Sequence, residues 1–160
     1  MNKSPTLIVA AVACALGSAC SSPSEPSVDV SELPLAERVS ADGKSLRQVA
    51  ALFLNGDSVT IAVPSRVRVG SAVDAYVTTL GGGCVSVDTT VTVVDGLRGS
   101  VYPYQRVPTD LNTICTADLR YDRRAIRFVF QSTGVATLRV VGRAGSGGRL
   151  VSFERRITVE

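Results

Sequence analysis

Apolar and polar residues alternate along most of the chain from Ser58 onward, which is the pattern of β-strands with one buried face. Turn-forming residues such as Asp95–Gly96 and Thr133–Gly134 separate the alternating runs. The predicted inward-facing sets are Val59, Ile61 and Val63; Val67 and Val69; Val73, Ala75 and Val77; Val85, Val87, Val91 and Val93; Ile126, Phe128 and Phe130; Ala136, Leu138 and Val140; and Val151, Phe153, Ile157 and Val159.

Two segments depart from simple alternation. The apolar residues between Leu46 and Leu54 are spaced as on a short helix, but the following Asn55–Gly56 pair is typical of a hairpin turn. We expect a strand there, with a helix as the alternative. Arg155 interrupts the last apolar set, and this predicts a β-bulge or a change of exposure at that position.

The spacing of about seven short strands predicts an all-β domain over residues 46–160, a length suited to one core. The arrangement resembles an immunoglobulin-like β-sandwich at the level of the fold. Antibody domains carry a Trp between their paired cysteines, and this chain has no Trp. A small β-barrel is the alternative.

The N-terminal residues have a different pattern. Lys3 precedes an apolar run from Leu7 to Leu16. A membrane-spanning helix needs about 20 apolar residues, and this run is much shorter. A short basic segment followed by such a run is typical of a signal peptide.

The residues Leu16-Gly17-Ser18-Ala19-Cys20 resemble the lipobox of bacterial lipoproteins, although Gly17 stands where that family most often has Leu or Val. The resemblance implies a signal peptide at residues 1–19, transfer of diacylglycerol to the Cys20 thiol, and cleavage before Cys20. Cys14 is a weaker candidate, because cleavage there would leave two apolar residues at the start of the mature chain. An ordinary secreted protein is the alternative.

Residues 20–45 are predicted to be the lipidated cysteine and a flexible tether. The stretch from Ser21 to Ser27 is polar and rich in proline, and such a composition favours an extended, solvated chain. The resemblance implies attachment to the cell membrane through the lipid. Since Ser21 and not Asp follows the cysteine, we expect the outer membrane in a cell with two membranes, with the domain facing the periplasm or the cell surface.

The charge of the domain excludes one class of partner. From Leu46 onward the sequence contains fourteen Arg, no Lys and nine acidic residues, giving a net charge of +5. A nucleic-acid-binding protein would cluster this charge with stacking aromatic residues, whereas these arginines are scattered. We therefore expect no nucleic-acid partner.

The cysteines predict one disulfide. Once Cys14 is removed with the signal peptide and Cys20 is acylated, Cys84 and Cys115 are the two thiols left in an oxidising compartment. A bridge between them would attach the irregular connection from Pro108 to Arg124 to the sheet.

The sequence offers little for catalysis. It contains no His, which excludes His-based triads and the commonest zinc ligand. Gly81–Gly83 lacks the Lys-Ser/Thr that completes a phosphate-binding loop. The carboxylates of Asp110, Asp118 and Asp122 are expected to pair with nearby arginines. We expect no cofactor and no metal site.

The Tyr102-Pro103-Tyr104 cluster, flanked by Arg98 and Arg106, is the candidate contact surface, because Tyr and Arg are enriched at recognition sites. Tyrosines packed in the core would have the same pattern. The sequence thus predicts a membrane-anchored cell-envelope lipoprotein with a non-catalytic binding or structural domain, whose partner would be an envelope protein or a glycan. A small envelope enzyme that uses carboxylates alone, for example on glycans, is the alternative.

Overall fold

Strands account for nearly all of the regular structure in a computed structural model of the chain, which describes residues 29–55, 58–59, 61–110, 112–145 and 148–160. The predicted signal peptide (1–19), Cys20 and the start of the predicted tether (21–28) lie outside the described residues. One turn of 3-10 helix, Val30–Glu32, precedes the strands. The described strands are β1 Arg38–Val39, β2 Ser45–Val49, β3 Ala51–Leu52, β4 Leu54–Asn55, β5 Ser58–Val59, β6 Ile61–Ala62, β7 Arg66–Val67, β8 Ala72–Gly81, β9 Ser86–Asp95, β10 Arg98–Pro108, β11 Arg120–Val129, β12 Gly134–Ala144 and β13 Leu150–Val159.

Eleven of the described strands form one curled, open sheet, and β4 and β5 form a separate pair. In one half of the sheet, β9 pairs with β10 and β12 pairs with β13, both antiparallel, while β10 and β12 are parallel neighbours. In the other half, β8 pairs with β11 along its whole length. Strand β3 joins the two halves, because it pairs with both β12 and β8. The all-β prediction is confirmed, and residues 46–54 form strands and not a helix.

A fork between β10 and β12 determines how the N-terminal strands fit into the sheet. The two strands pair from Arg98 and Thr137 as far as Val101 and Val140. Beyond that point β2 lies next to β10, and β3 lies next to β12. The backbone of Ala50 closes the fork, since its N–H donates to the Pro103 carbonyl (2.7 Å) and its carbonyl accepts from the Arg143 N–H (2.9 Å).

The main hydrophobic core lies between the two halves of the sheet. The predicted inward faces of β8, β11, β12 and β13 supply most of it. Its buried members are Leu52, Val73, Ala75, Val77, Val101, Ile126, Phe128, Phe130, Ala136, Leu138, Val140, Val151, Ile157 and Val159. Alternation therefore predicted the buried faces of these four strands correctly.

The last strand has no bulge at Arg155 but does show the predicted change of exposure. Strand β13 pairs with β12 without a break, Arg155 lies opposite Leu138, and Phe153 is only partly buried. A register shift occurs instead in the β9–β10 pair, between Pro103 and Gln105.

The predicted inward face of β9 is wrong. Val94, on the opposite face, packs on the main core, whereas the predicted inward residues Val87 and Val93 are 48% and 46% exposed.

Residues 33–39, which we name the strap, contact the sheet and correct the predicted extent of the tether. Leu33 and Leu35 pack on a second buried cluster on the outer face of the sheet, formed by Val49, Tyr102, Tyr104, Val141 and Leu150. The Leu35 N–H donates to the Tyr104 hydroxyl (3.1 Å), which in turn donates to the Leu35 carbonyl (2.9 Å).

The second half of the strap is held by charge and by strand pairing. The Glu37 carboxylate accepts hydrogen bonds from the Arg143 guanidinium (2.6 Å) and from the Val49 N–H (3.0 Å). Strand β1 then pairs with β2. The flexible tether therefore does not extend to residue 45. The strap buries two leucines on the sheet, and its Glu37 carboxylate and its β1 backbone have hydrogen-bond partners there.

A buried arginine connects the two halves of the sheet near the bulge. Arg124 on β11 is 5% exposed; its Nε donates to Thr79 Oγ1 on β8 (2.9 Å) and its Nη1 donates to the Tyr104 carbonyl on β10 (2.5 Å). Burial lowers the pKa of the Arg124 guanidinium below its ordinary value, and nearby Asp122 and Asp88 act in the opposite direction. The side chain thus supplies hydrogen bonds where the β9–β10 register is interrupted.

We predict that Tyr104→Phe lowers the free energy of unfolding by about 1–2 kcal/mol, because the strap loses both hydrogen bonds to the hydroxyl. Urea unfolding of the full chain measures the change. Tyr102→Phe is the matched control, since the Tyr102 hydroxyl has no hydrogen-bond partner among the described residues. Equal losses in the two variants would contradict the assigned role of the Tyr104 hydroxyl.

We also predict that Arg124→Met lowers the free energy of unfolding by about 2–4 kcal/mol, because the Tyr104 carbonyl is left buried without its donor. The exposed Arg127 on the same strand provides the control, and Arg127→Met should change stability by less than about 0.5 kcal/mol. Thermal and urea unfolding should agree. A neutral effect of Arg124→Met would show that the sheet does not need this connection.

Candidate functional site

The predicted Tyr–Arg contact surface does not form in the described structure. Tyr102 and Tyr104 are 8% and 0% exposed, and both belong to the cluster covered by the strap. Strand β10 is covered on both faces, with Val101 in the main core on the opposite side. The two rings are therefore core residues, which is the alternative that the sequence pattern left open.

The two flanking arginines lie at opposite ends of β10. Arg98 begins the strand and lines an open cleft of about 400 Å³ with Ser100, Arg139 and Glu154. Arg106 lies eight residues further along, which corresponds to about 26 Å of extended strand. The structure therefore does not bring the four predicted residues together at one site.

Arg106 instead belongs to a row of three arginines on neighbouring strands. Arg38 on β1 lies directly opposite Arg47 on β2, and Arg47 lies directly opposite Arg106 on β10. Directly opposed residues of antiparallel strands share one face of the sheet, with Cβ atoms about 4.5–5.5 Å apart. The row lines a cleft of about 410 Å³ together with Val39, Ser40 and Ala41.

The sequence does not reveal this row, for two reasons. Arg38 lies in the predicted tether, and the pairing of β2 with β10 joins residues almost sixty positions apart in the sequence. The one available signal is the two-residue spacing of Arg47 and Val49, which places both side chains on the same face of a strand. The row therefore depends on the order of the strands.

Cys84 and Cys115 form a disulfide, as the sequence predicted, with a Cα–Cα distance of 5.2 Å. The bridge holds the connection before β11 against the triple glycine. Gly82 has φ +124°, and a Cβ there would lie 2.1 Å from the Asp118 carbonyl oxygen. Close backbone packing therefore requires glycine at this position.

Of the three carboxylates predicted to pair with arginines, Asp122 does so, whereas Asp110 and Asp118 accept hydrogen bonds from nearby backbone N–H and hydroxyl groups. Asp122 forms a salt bridge with Arg120 (2.7 Å), and Asp110 accepts the Asn112 N–H (2.9 Å). Asp118 accepts from the Thr116 hydroxyl and from the Gly83 N–H, and these hydrogen bonds lower its pKa below the ordinary value. The local interactions thus hold the irregular connection in place.

The described part of the chain lacks two other features. No group of three or more His, Cys, Asp or Glu residues is placed to hold a metal ion there. No helix in that part is long and apolar enough to cross a bilayer.

We predict that replacing both cysteines with Ala lowers the free energy of unfolding by about 3–4 kcal/mol, because the 31-residue separation gives a long loop in the unfolded chain. Urea unfolding of oxidised, reduced and doubly substituted protein measures this effect. The reduced and doubly substituted forms should unfold alike. Two alkylatable thiols in the exported oxidised protein would contradict the bridge.

Comparison with known proteins gave no match: no protein-family profile, curated protein or solved structure resembles this chain at a significant level. The function proposed below therefore rests on the residues of this chain.

Proposed function

We propose that the chain is a lipid-anchored protein of the bacterial cell envelope, whose β domain acts by binding or by structural contact and not by catalysis. The observation that carries the binding role is the cleft lined by Arg38, Arg47 and Arg106, because it exposes charged donors at fixed positions on paired strands. An envelope protein or a glycan would be the partner.

The N-terminal sequence supports the anchor. The residues from Leu16 to Cys20 resemble a lipobox, and a disulfide at Cys84 and Cys115 suits an oxidising compartment. With Ser21 after the cysteine, we place the protein at the outer membrane of a cell with two membranes, facing the periplasm or the cell surface.

The contacts of the strap with the sheet limit the distance between a lipid anchor and the domain. Because it contacts the sheet from Leu33 onward, and Glu32 pairs with Arg139 (3.3 Å), the free segment of an anchored chain would be short. The chain from Cys20 to Asp29 spans at most about 30 Å when fully extended. An anchored domain would therefore stay within about this distance of the lipid surface.

We further propose that the domain is a variant of the immunoglobulin-like sandwich. The antiparallel pairs β8–β11 and β12–β13, which face each other across the main core, support this arrangement. The parallel pairing of β10 with β12 is the feature that makes it a variant, since immunoglobulin sheets are antiparallel.

We predict that Cys20→Ser abolishes membrane attachment or blocks removal of the signal peptide, because the Cys20 thiol is the group to which the lipid would be attached. Fractionation of cells and mass spectrometry of the N-terminus measure both effects. Cys14→Ser is the matched control, and it should leave processing and membrane attachment unchanged. Retention of the Cys20→Ser protein in the membrane fraction, with normal processing, would overturn the proposal.

A further inference from the structure

The arginine row carries charge that the described residues do not neutralise. Asp88 lies 3.6 Å from Arg106, and no carboxylate of the described residues lies within 4.0 Å of Arg38 or Arg47. Like charges directly opposite one another on adjacent strands destabilise a sheet. Asp42 also attracts Arg106, so the row of three positive charges has two neighbouring carboxylates and keeps an excess of one.

Arg47, at the centre of the row, also has an unused donor. Its Nη2 donates to the Ala36 carbonyl of the strap (3.3 Å), whereas its Nε is buried and has no hydrogen-bond partner. A buried donor without an acceptor is unfavourable, and a bound acceptor that draws the Arg47 guanidinium toward the cleft would remove that penalty. The unpartnered donor and the unbalanced charge thus occur at the same position.

We propose that this cleft binds a phosphate monoester group. Such a group carries about −1.5 to −2 charges at neutral pH, enough to neutralise the remaining positive charge of the row. Its three terminal oxygens can accept hydrogen bonds from several guanidinium groups, and the planar guanidinium suits phosphate geometry. A carboxylate has two oxygens and can therefore accept from fewer of these donors.

The inference deepens the proposed binding role and rests on it, but it does not depend on the lipid anchor. The phosphate monoester has two possible sources with the same chemistry. It could belong to a soluble phosphorylated molecule, such as a phosphorylated glycan of the envelope, or to the head group of a phosphorylated lipid, and soluble competitors distinguish these two sources.

The test uses the full chain in a nonionic detergent with inorganic phosphate as the probe, at neutral pH and constant ionic strength. Millimolar phosphate should raise the unfolding midpoint by about 5 °C relative to chloride, because it binds only the folded state. Acetate at the same ionic strength should give a much smaller shift. Equal shifts with phosphate and acetate would overturn the proposal.

Three variants locate the site. Arg38→Gln and Arg106→Gln should each weaken phosphate binding at least tenfold in calorimetric titrations, because each removes a charged donor. Arg127→Gln changes the net charge equally at an exposed position on β11 and should leave phosphate binding unchanged. In chloride, Arg38→Gln should not lower the unfolding midpoint, since it relieves repulsion at an exposed side chain. Undiminished phosphate binding by both row variants would overturn the assignment.

Two soluble competitors identify the source. If dihexanoyl phosphatidate binds at least tenfold more tightly than glycerol 3-phosphate, the source is a lipid head group. Equal affinities of the two compounds would support a soluble ester. Dihexanoyl phosphatidylcholine, a phosphodiester, is the control and should not compete. Failure of phosphate to bind, with membrane attachment through Cys20 intact, would overturn this inference alone. Loss of the anchor with phosphate binding intact would overturn the anchored location alone.

Discussion

Tyr104 is the residue on which both faces of the sheet depend. Its ring is fully buried under the strap, its hydroxyl exchanges two hydrogen bonds with Leu35, and its carbonyl accepts from Arg124 on the opposite half of the sheet. Burial raises the pKa of the Tyr104 phenol, so the hydroxyl remains a donor throughout the physiological range. The strap, the central strand β10 and the second half of the sheet therefore meet at one side chain and its backbone.

The same part of β10 positions the arginine row. Because β10 and β12 diverge after Val101, β2 can enter the sheet beside the second half of β10. This pairing places Val49 opposite Tyr104 and, two residues earlier on the same face, Arg47 opposite Arg106. The buried cluster and the charged cleft thus use neighbouring residue pairs of the same two strands, β2 and β10. The strap covers the buried cluster, and Arg38 near its end lines the cleft.

Alternation predicted the strands that are buried on one side of the main core, because a period of two depends only on local geometry and a single apolar face. It was less successful on β10, which is covered on both faces, and on the edge strand β9. Tyr102 and Tyr104 are buried because the strap covers them, and Val87 and Val93 are exposed because Val94, on the opposite face of β9, packs on the main core. No local pattern contains this information. The cysteine pairing could be predicted by elimination, whereas the arginine row required the order of the strands.

The position of Arg38 makes binding in the cleft and attachment of the strap interdependent. Repulsion between Arg38 and Arg47 acts directly against the pairing of β1 with β2, which is the last contact of the strap with the sheet. A bound anion that screens this repulsion stabilises the pairing, and by linkage an attached strap raises the affinity for the anion. The Glu37–Arg143 salt bridge holds the preceding residue independently of the row, so the strap stays in place when the cleft is empty. The proposed ligand would therefore change the order of the strap end near Arg38 more than its attachment at Leu35.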